Sequence, residues 1–206
     1  MINDKKLIIG TKVYAIFYRK YYSSNEQRTP WLPIIIGLSL AAIVSTSAIA
    51  YAKSTSKNKN PIPPSIVIDR VFVDKSDRIL KLMSDGKVIR SYRIALGESP
   101  SGHKQQEGDQ RTPVGIYTLD YKNENSIAHR SIHISYPNDE DKARAKSLGV
   151  NPGGDIMIHG QMNGFGYLAL FNQRRDWTDG CIAVANDEMD EIMDAVTLGT
   201  PIEIVE

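Results

Sequence analysis

Cys181 is the only cysteine in the chain of 206 residues, so it forms no intramolecular disulfide and is either a small buried hydrophobe or a free nucleophilic thiol. It follows the turn-like Thr178-Asp179-Gly180 and precedes the apolar run Ile182-Ala183-Val184. That order predicts a thiol presented at the beginning of a short strand, where substrate reaches it. An ordinary thiol is only slightly ionised at neutral pH and needs a base. His159 is the candidate. It ends the apolar run Asp155-Ile156-Met157-Ile158 and precedes Gly160, a place where a buried strand breaks into a loop. Residue type and spacing alone leave two readings open: a Cys/His nucleophile pair, or a packed thiol and an unrelated loop histidine.

The elements needed to position such a pair are legible in outline. Alternating apolar residues predict strands over Ile66–Asp74, Ile79–Met83 and Val88–Leu96, the last two joined by Asp85-Gly86, a strong hairpin signal. A long glycine-rich loop from Gly97 to Pro113 follows, and loops of that length inside compact domains are usually functional. Further strands are expected at Gly115–Asp120, Ser131–Ser135, Asp155–Ile158 and Pro201–Val205. One helix is expected over Asn138–Leu148, with Asn138 as cap, acidic residues in its first turn and Gly149 as stop. A second is expected from Asp187 to Leu198, capped by Asn186 or Asp187, with Met189, Ile192, Met193 and Val196 on one face. Many short strands and few helices imply a mainly β domain, a β-sandwich or open barrel with one or two peripheral helices.

Charge and hydropathy divide the chain. A formal charge of +1 carries no nucleic-acid signature. Residues 1–52 hold six basic and two acidic side chains, and the remainder holds 19 basic and 22 acidic. Trp31–Ala52 is uncharged and, at about 1.5 Å per residue, long enough for a bilayer core of about 30 Å. The expected organisation is therefore a basic arm (1–30), a transmembrane anchor or signal segment (31–52) with small-x-small sites at Ala48–Ala50 and Ala50–Ala52, a polar linker (53–64) and a catalytic domain (65–206). The basic arm predicts that the domain lies on the exported side of the membrane, which would be a partner through the N-terminal segment.

The residues around the pair resemble the L,D-transpeptidase catalytic domain (the YkuD-type family), whose signature is a histidine followed, after about fifteen to twenty residues, by Ser/Thr-His-Gly-Cys. Here His159 is followed by Thr178-Asp179-Gly180-Cys181. The block containing Gly97, Gly102, Lys104, Gly108-Asp109 and Thr112-Pro113-Val114-Gly115-Ile116-Tyr117 also resembles that family, and the matches run from about Val71 to Val205. Asp179 stands where most members carry a second histidine, and Ala183 where many carry arginine or asparagine. The resemblance implies a mainly β fold and acyl transfer on peptidoglycan stem peptides through a Cys181 thioester. His159 would donate and accept the proton, and the Gly160 carbonyl would orient its ring. The backbone N–H groups of Gly180 and Cys181 are the natural oxyanion donors. Asp179, Trp177 and Thr178 are candidate substrate contacts, with turn capping or packing as the alternative for each. No cofactor is called for. Water as acceptor would make the protein an L,D-carboxypeptidase or amidase, and a wall-binding module without activity is a further alternative. A zinc site built on His129 and His133 is the outlier, since a strand would hold those residues well apart.

Overall fold

The computed structural model describes residues 61–206. The basic arm, the uncharged run Trp31–Ala52 and the first part of the linker lie outside the described residues. Eight strands form one open sheet in the order β3-β2-β1-β8-β4-β5-β6-β7. They are β1 (Arg70–Asp74), β2 (Ile79–Ser84), β3 (Lys87–Arg93), β4 (Gly115–Ser126), β5 (His129–Ile134), β6 (Met157–His159), β7 (Ile182–Ala183) and β8 (Pro201–Val205). The helices are α1 (Asp139–Leu148), the four-residue α2 (Ala169–Asn172), entered through a 3-10 turn at Gly166–Leu168, and α3 (Asn186–Ala195). The mainly β expectation holds, with the strands arranged as a single sheet. Among the described residues no helix is long and apolar enough to cross a membrane.

Period-two alternation places Val71, Val73, Leu80, Leu82, Leu119, Ile132, Ile134, Ile158, Ile182, Ile202 and Ile204 in one core, each at most 1% exposed. The α3 residues Met189, Ile192 and Met193 join it, so those methionines are packing residues. The β2–β3 hairpin turns at Asp85 and Gly86 with φ of 49° and 73°, the two left-handed residues a type I′ turn requires. Helix α1 begins as expected: Asn138 Oδ1 accepts from the Asp141 N–H at 3.0 Å and Asp141 Oδ2 accepts from the Asn138 N–H at 3.1 Å.

Boundaries move where tertiary pairing overrides local pattern. The first strand starts at Arg70 rather than Ile66, because Ile66 N–H closes a turn onto Pro63 O. The third ends at Arg93 rather than Leu96: Ile94 N–H still donates to Arg78 O, and Ala95 then turns to an antiparallel bridge with Ala183. Strand β4 runs on through the polar stretch Tyr121–Ser126, which its pairing with β5 holds extended despite the lack of apolar alternation. Helix α3 starts at Asn186 with Ala185 as its N-cap residue, and Glu188 Oε2 accepts the Ala185 N–H at 3.1 Å. It ends at Ala195, because Val196 is already extended.

Strand β8 pairs with both β1 and β4, so its apolar residues are central to the sheet. Ile204→Ala should cost about 2–5 kcal/mol, the range for truncating a buried isoleucine, whereas Ile116→Ala on the exposed face of β4 should change stability by less than about 0.5 kcal/mol. Urea unfolding of the two variants checks the contrast.

Candidate active site

The sheet ends in two very short strands, and their register builds the site. β6 and β7 run parallel with Ile158 opposite Ile182 and His159 opposite Ala183. Because side chains alternate, Ile158 and Ile182 point into the core, while His159 and the residue just before β7, Cys181, share the other face. From a strand spacing of about 4.8 Å and a rise of about 3.3 Å per residue, the two backbones are diagonal neighbours roughly 8 Å apart. That is a distance two side chains reaching toward each other can span.

Each member has a defined partner. His159 is buried, and its Nδ1 lies 2.6 Å from Gly160 O. A carbonyl only accepts, so Nδ1 carries the proton and Nε2 holds the free lone pair. The ring packs edge-on against Trp177 with centroids 5.8 Å apart. Cys181 is partly exposed, and its thiol donates to Asp155 O at 3.6 Å. Burial pushes the thiol pKa above its ordinary 9.0, and the Asp179 and Asp155 charges add to this, against a lowering by the Met157 amide and Lys104. Burial likewise holds the His159 pKa below 6.5, opposed only by the bond to Gly160. The resting pair is therefore a neutral thiol and a neutral imidazole.

The turn before the nucleophile is held by its own side chain and by the long loop. Thr178 Oγ1 donates to Cys181 O at 2.7 Å and accepts from the Gly180 N–H at 3.2 Å. Thr112, a residue without a role in the sequence reading, donates from Oγ1 to Gly180 O at 2.9 Å. Gly180 has φ +118°, and a Cβ there would stand 2.6 Å from Arg111 O; a Cβ on Gly97 would stand 2.0 Å from Gln110 O. Both glycines let three stretches of backbone meet beneath Cys181. The loop itself is pinned by the buried Lys104, whose Nζ donates to Asp109 Oδ1 at 2.9 Å and Gln106 O at 3.1 Å, and by buried Lys75, which donates to Gly102 O at 2.6 Å. Burial raises the Asp109 pKa, but the bonds from Gln105, Lys104, Arg111 and Gln106 outweigh it and leave the carboxyl below its usual range.

The expected site residues thus divide. Cys181, His159, Gly160, Gly180 and Trp177 come together. The Gly180 N–H is engaged by Thr178, and among the described residues only the Cys181 N–H of the two expected oxyanion donors has no partner. Thr178 is buried with its hydroxyl turned inward, so it shapes the turn instead of facing substrate. Asp179 is exposed beside the thiol. His129 and His133 face separate carboxylates, Asp190 at 2.9 Å and Asp120 at 2.7 Å. Among the described residues no group of three or more His, Cys, Asp and Glu is placed to hold a metal. Thr112 carried only a motif signal, and the buried Gln161 and Gln173, which bond Val184 O at 2.8 Å and Ala183 O at 3.2 Å, carried none.

The sheet edge thus bears a histidine and a cysteine in this register, under a glycine-rich loop. Residues 68–204 match the family described as the L,D-transpeptidase catalytic domain (YkuD), and the chain belongs to that family. The Escherichia coli K12 protein named "Putative L,D-transpeptidase YafK" is 26% identical over 155 residues, covering 70% of this chain and 61% of that protein. The helical cell shape determining protein Pgp2 of Campylobacter jejuni is 30% identical with a TM-score of 0.51, covering 66% of this chain and 47% of that one. Its K307A mutant aligns with a TM-score of 0.53 at 29% identity over 69% of this chain and 48% of that one. The chain therefore spans about half to three-fifths of the length of these relatives.

The protonation states give a test. The rate of iodoacetamide alkylation of Cys181 in the full chain should climb with pH through the neutral range and keep climbing past 9.0, because the thiol pKa is raised. A rate already level below pH 7 would instead show a preformed thiolate–imidazolium pair.

Proposed function

We propose that the protein is an L,D-transpeptidase that cuts and rejoins peptidoglycan stem peptides through a thioester on Cys181. The observation that carries this reading is the β6–β7 register, which puts Cys181 on the same face as a histidine whose Nε2 is free. His159 Nε2 takes the thiol proton as sulfur attacks the amide carbonyl, and the Cys181 N–H donates to the developing oxyanion. One such donor typically contributes about 3–4 kcal/mol in the transition state. The imidazolium then protonates the departing amine, the carbon–nitrogen bond breaks, and a thioester is left. A second amine, deprotonated by His159, attacks the thioester and restores the thiol.

Membership of the family and the cell-shape name of the Pgp2 relative support a wall peptide as substrate. The leaving group is then a terminal D-alanine, and the acyl group is held through the L-centre carbonyl of the third residue. Export fits this substrate, since amide exchange needs no nucleotide outside the membrane. In this reading Asp179, exposed beside the sulfur, meets a cationic amine, and Trp177, packed edge-on against the His159 ring, contacts the substrate. Hydrolysis is the second reading, favoured by the partial exposure of Cys181, which admits water.

Incubating the full chain with a defined tetrapeptide and a D-amino acid, with products resolved by mass, separates the readings. Exchange of the terminal D-alanine is expected; tripeptide alone would make the protein a carboxypeptidase, and unchanged tetrapeptide would sink both. Cys181→Ala should abolish turnover, and His159→Ala should lower it by about 10²–10⁴-fold. The location is tested separately. Protease added to intact spheroplasts should digest the domain beyond Lys53, and protection until lysis would contradict the exported placement.

A further inference from the structure

The hairpin tip between β4 and β5 and the stretch 162–171 together form an apolar surface that the domain leaves uncovered. Ile127 at the tip is 75% exposed. Asn163 fastens the stretch to it, its N–H donating to Ile127 O at 3.0 Å and its side chain to Ser126 O at 3.0 Å. Met162 and Phe165, both exposed, flank that contact. Tyr167, Leu170 and Phe171 follow at i, i+3 and i+4 of the short helical stretch, hence on one face of it, and all three are more than half exposed. Exposed apolar surface gathered in this way marks a contact with a partner or a membrane.

The sheet register shows which end of the domain this surface occupies. Val71 pairs with Ile202, and Pro201 with Thr118, so the chain enters β1 at the level of Thr118 in β4. From there β4 runs on for eight residues to Ser126. The tip therefore projects on the order of 20 Å beyond the entry of the chain into the sheet, about two strand spacings, or about 10 Å, to its side. Gly160 N–H donates to Ala128 O at 3.1 Å, so the His159 end of the candidate site lies directly behind the tip. The tether reaches the same end. Ile62 packs against the core, and only residues 53–60 separate Pro61 from the uncharged run Trp31–Ala52, a length that spans at most about 30 Å. With that run in a bilayer, the end of the domain bearing the tip stays close to lipid.

Charge suits a phospholipid surface. Arg174 and Arg175, exposed directly after the apolar stretch, make no ion pair among the described residues. The carboxylates behind the tip, Glu124 and Asp190, are both taken up by Arg130, at 2.6 and 3.1 Å. Aromatic and aliphatic side chains on a projection, with unpaired guanidinium groups beside them, match what sits at a membrane interface: the rings enter the head-group boundary and the arginines reach phosphate. We propose that this surface docks on the bilayer that holds Trp31–Ala52, with Ile127, Phe165, Tyr167, Leu170 and Phe171 at the head-group boundary and Arg174 and Arg175 on lipid phosphates. The docking rests on the exported, anchored placement of the domain and is independent of the chemistry at Cys181. Because the apolar stretch joins His159 to Cys181, it holds the candidate site beside the membrane.

The full chain, labelled with para-fluorophenylalanine and reconstituted in nanodiscs of phosphatidylethanolamine and phosphatidylglycerol, tests this. Its phenylalanines are Phe17, Phe72, Phe165 and Phe171, so two reporters lie in the surface and Phe72, on β1, is an internal control. Lipid carrying a nitroxide at the top of its acyl chain should broaden the fluorine signals of Phe165 and Phe171 severalfold more than that of Phe72. Ile127→Ser/Tyr167→Ser/Leu170→Ser alters only exposed side chains and should remove most of this excess, and Arg174→Glu/Arg175→Glu should reduce it. Equal broadening of all three domain signals in loaded discs, or an excess unchanged in the triple variant, overturns the docking while leaving the anchor in place. Failure of the chain to enter the discs removes the anchor and overturns the docking with it. Signals of Phe165 and Phe171 that ignore the lipid label but shift with protein concentration would assign the surface to a second copy of the chain, against the proposal. No readout requires turnover, so failure here and failure of the acyl-transfer reading are separate results.

Discussion

The site rests on a parallel pairing only two residues long. β6 and β7 meet at Ile158–Ile182 and His159–Ala183, and this register alone decides that the histidine and the cysteine share a face. A slip of β7 by one residue would turn Cys181 toward the core face and leave His159 on the opposite one. So short a ladder does not hold itself. It is braced by the Ala95–Ala183 bridge, by Val184 N–H donating to His159 O at 2.9 Å, and by two buried glutamines that donate to the carbonyls of Ala183 and Val184. Beneath it, Gly97 and Gly180 let the long loop press its backbone against the nucleophile turn. The loop in turn is anchored by two buried lysines whose charges are met by Asp109 and Glu206. The geometry of the candidate site is thus a property of the whole loop-and-edge assembly.

Much of this was legible in the residues, and the divisions follow from physics. The hairpin at Asp85-Gly86 and the capped helix at Asn138 are local devices, each written within a few residues, and the structure has them where the pattern put them. The Cys181 and His159 strand ends were legible because apolar runs break there. What local pattern missed was decided by distant partners: the departure of the chain from β2 after Arg93, the polar half of β4, and the short helical stretch Gly166–Asn172. Ala185 as N-cap is a case of competition. Asn186 is the better capping residue, but its Oδ1 accepts the Gln161 N–H at 2.7 Å, so Glu188 caps from inside the helix instead.

The segment between base and nucleophile shows the same competition at the level of surface. Residues 162–171 expose Met162, Phe165, Tyr167, Leu170 and Phe171, yet the segment's end is fastened through buried Gln173 and through Trp177, whose backbone N–H donates to Leu96 O at 3.0 Å. An apolar outer turn on a fastened base carries no core signal, which is why helical periodicity did not reveal it. The same fastening places Trp177 against His159 and excludes water from one side of the imidazole.

The electrostatics around the thiol follow from which charges are free to act. Lys104, paired with Asp109, is the nearby cation, and it lowers the thiol pKa by less than burial raises it. Asp179 is exposed, and solvent screens it. Desolvation is left as the dominant influence, and it acts against charge on both Cys181 and His159. A free ion pair is therefore disfavoured before substrate arrives. In the proposed reaction the negative charge moves from sulfur to the carbonyl oxygen as it forms, where the Cys181 N–H awaits it. Proton transfer to Nε2 and formation of the carbon–sulfur bond are then coupled, and the site ionises only with an amide carbonyl already seated over the thiol.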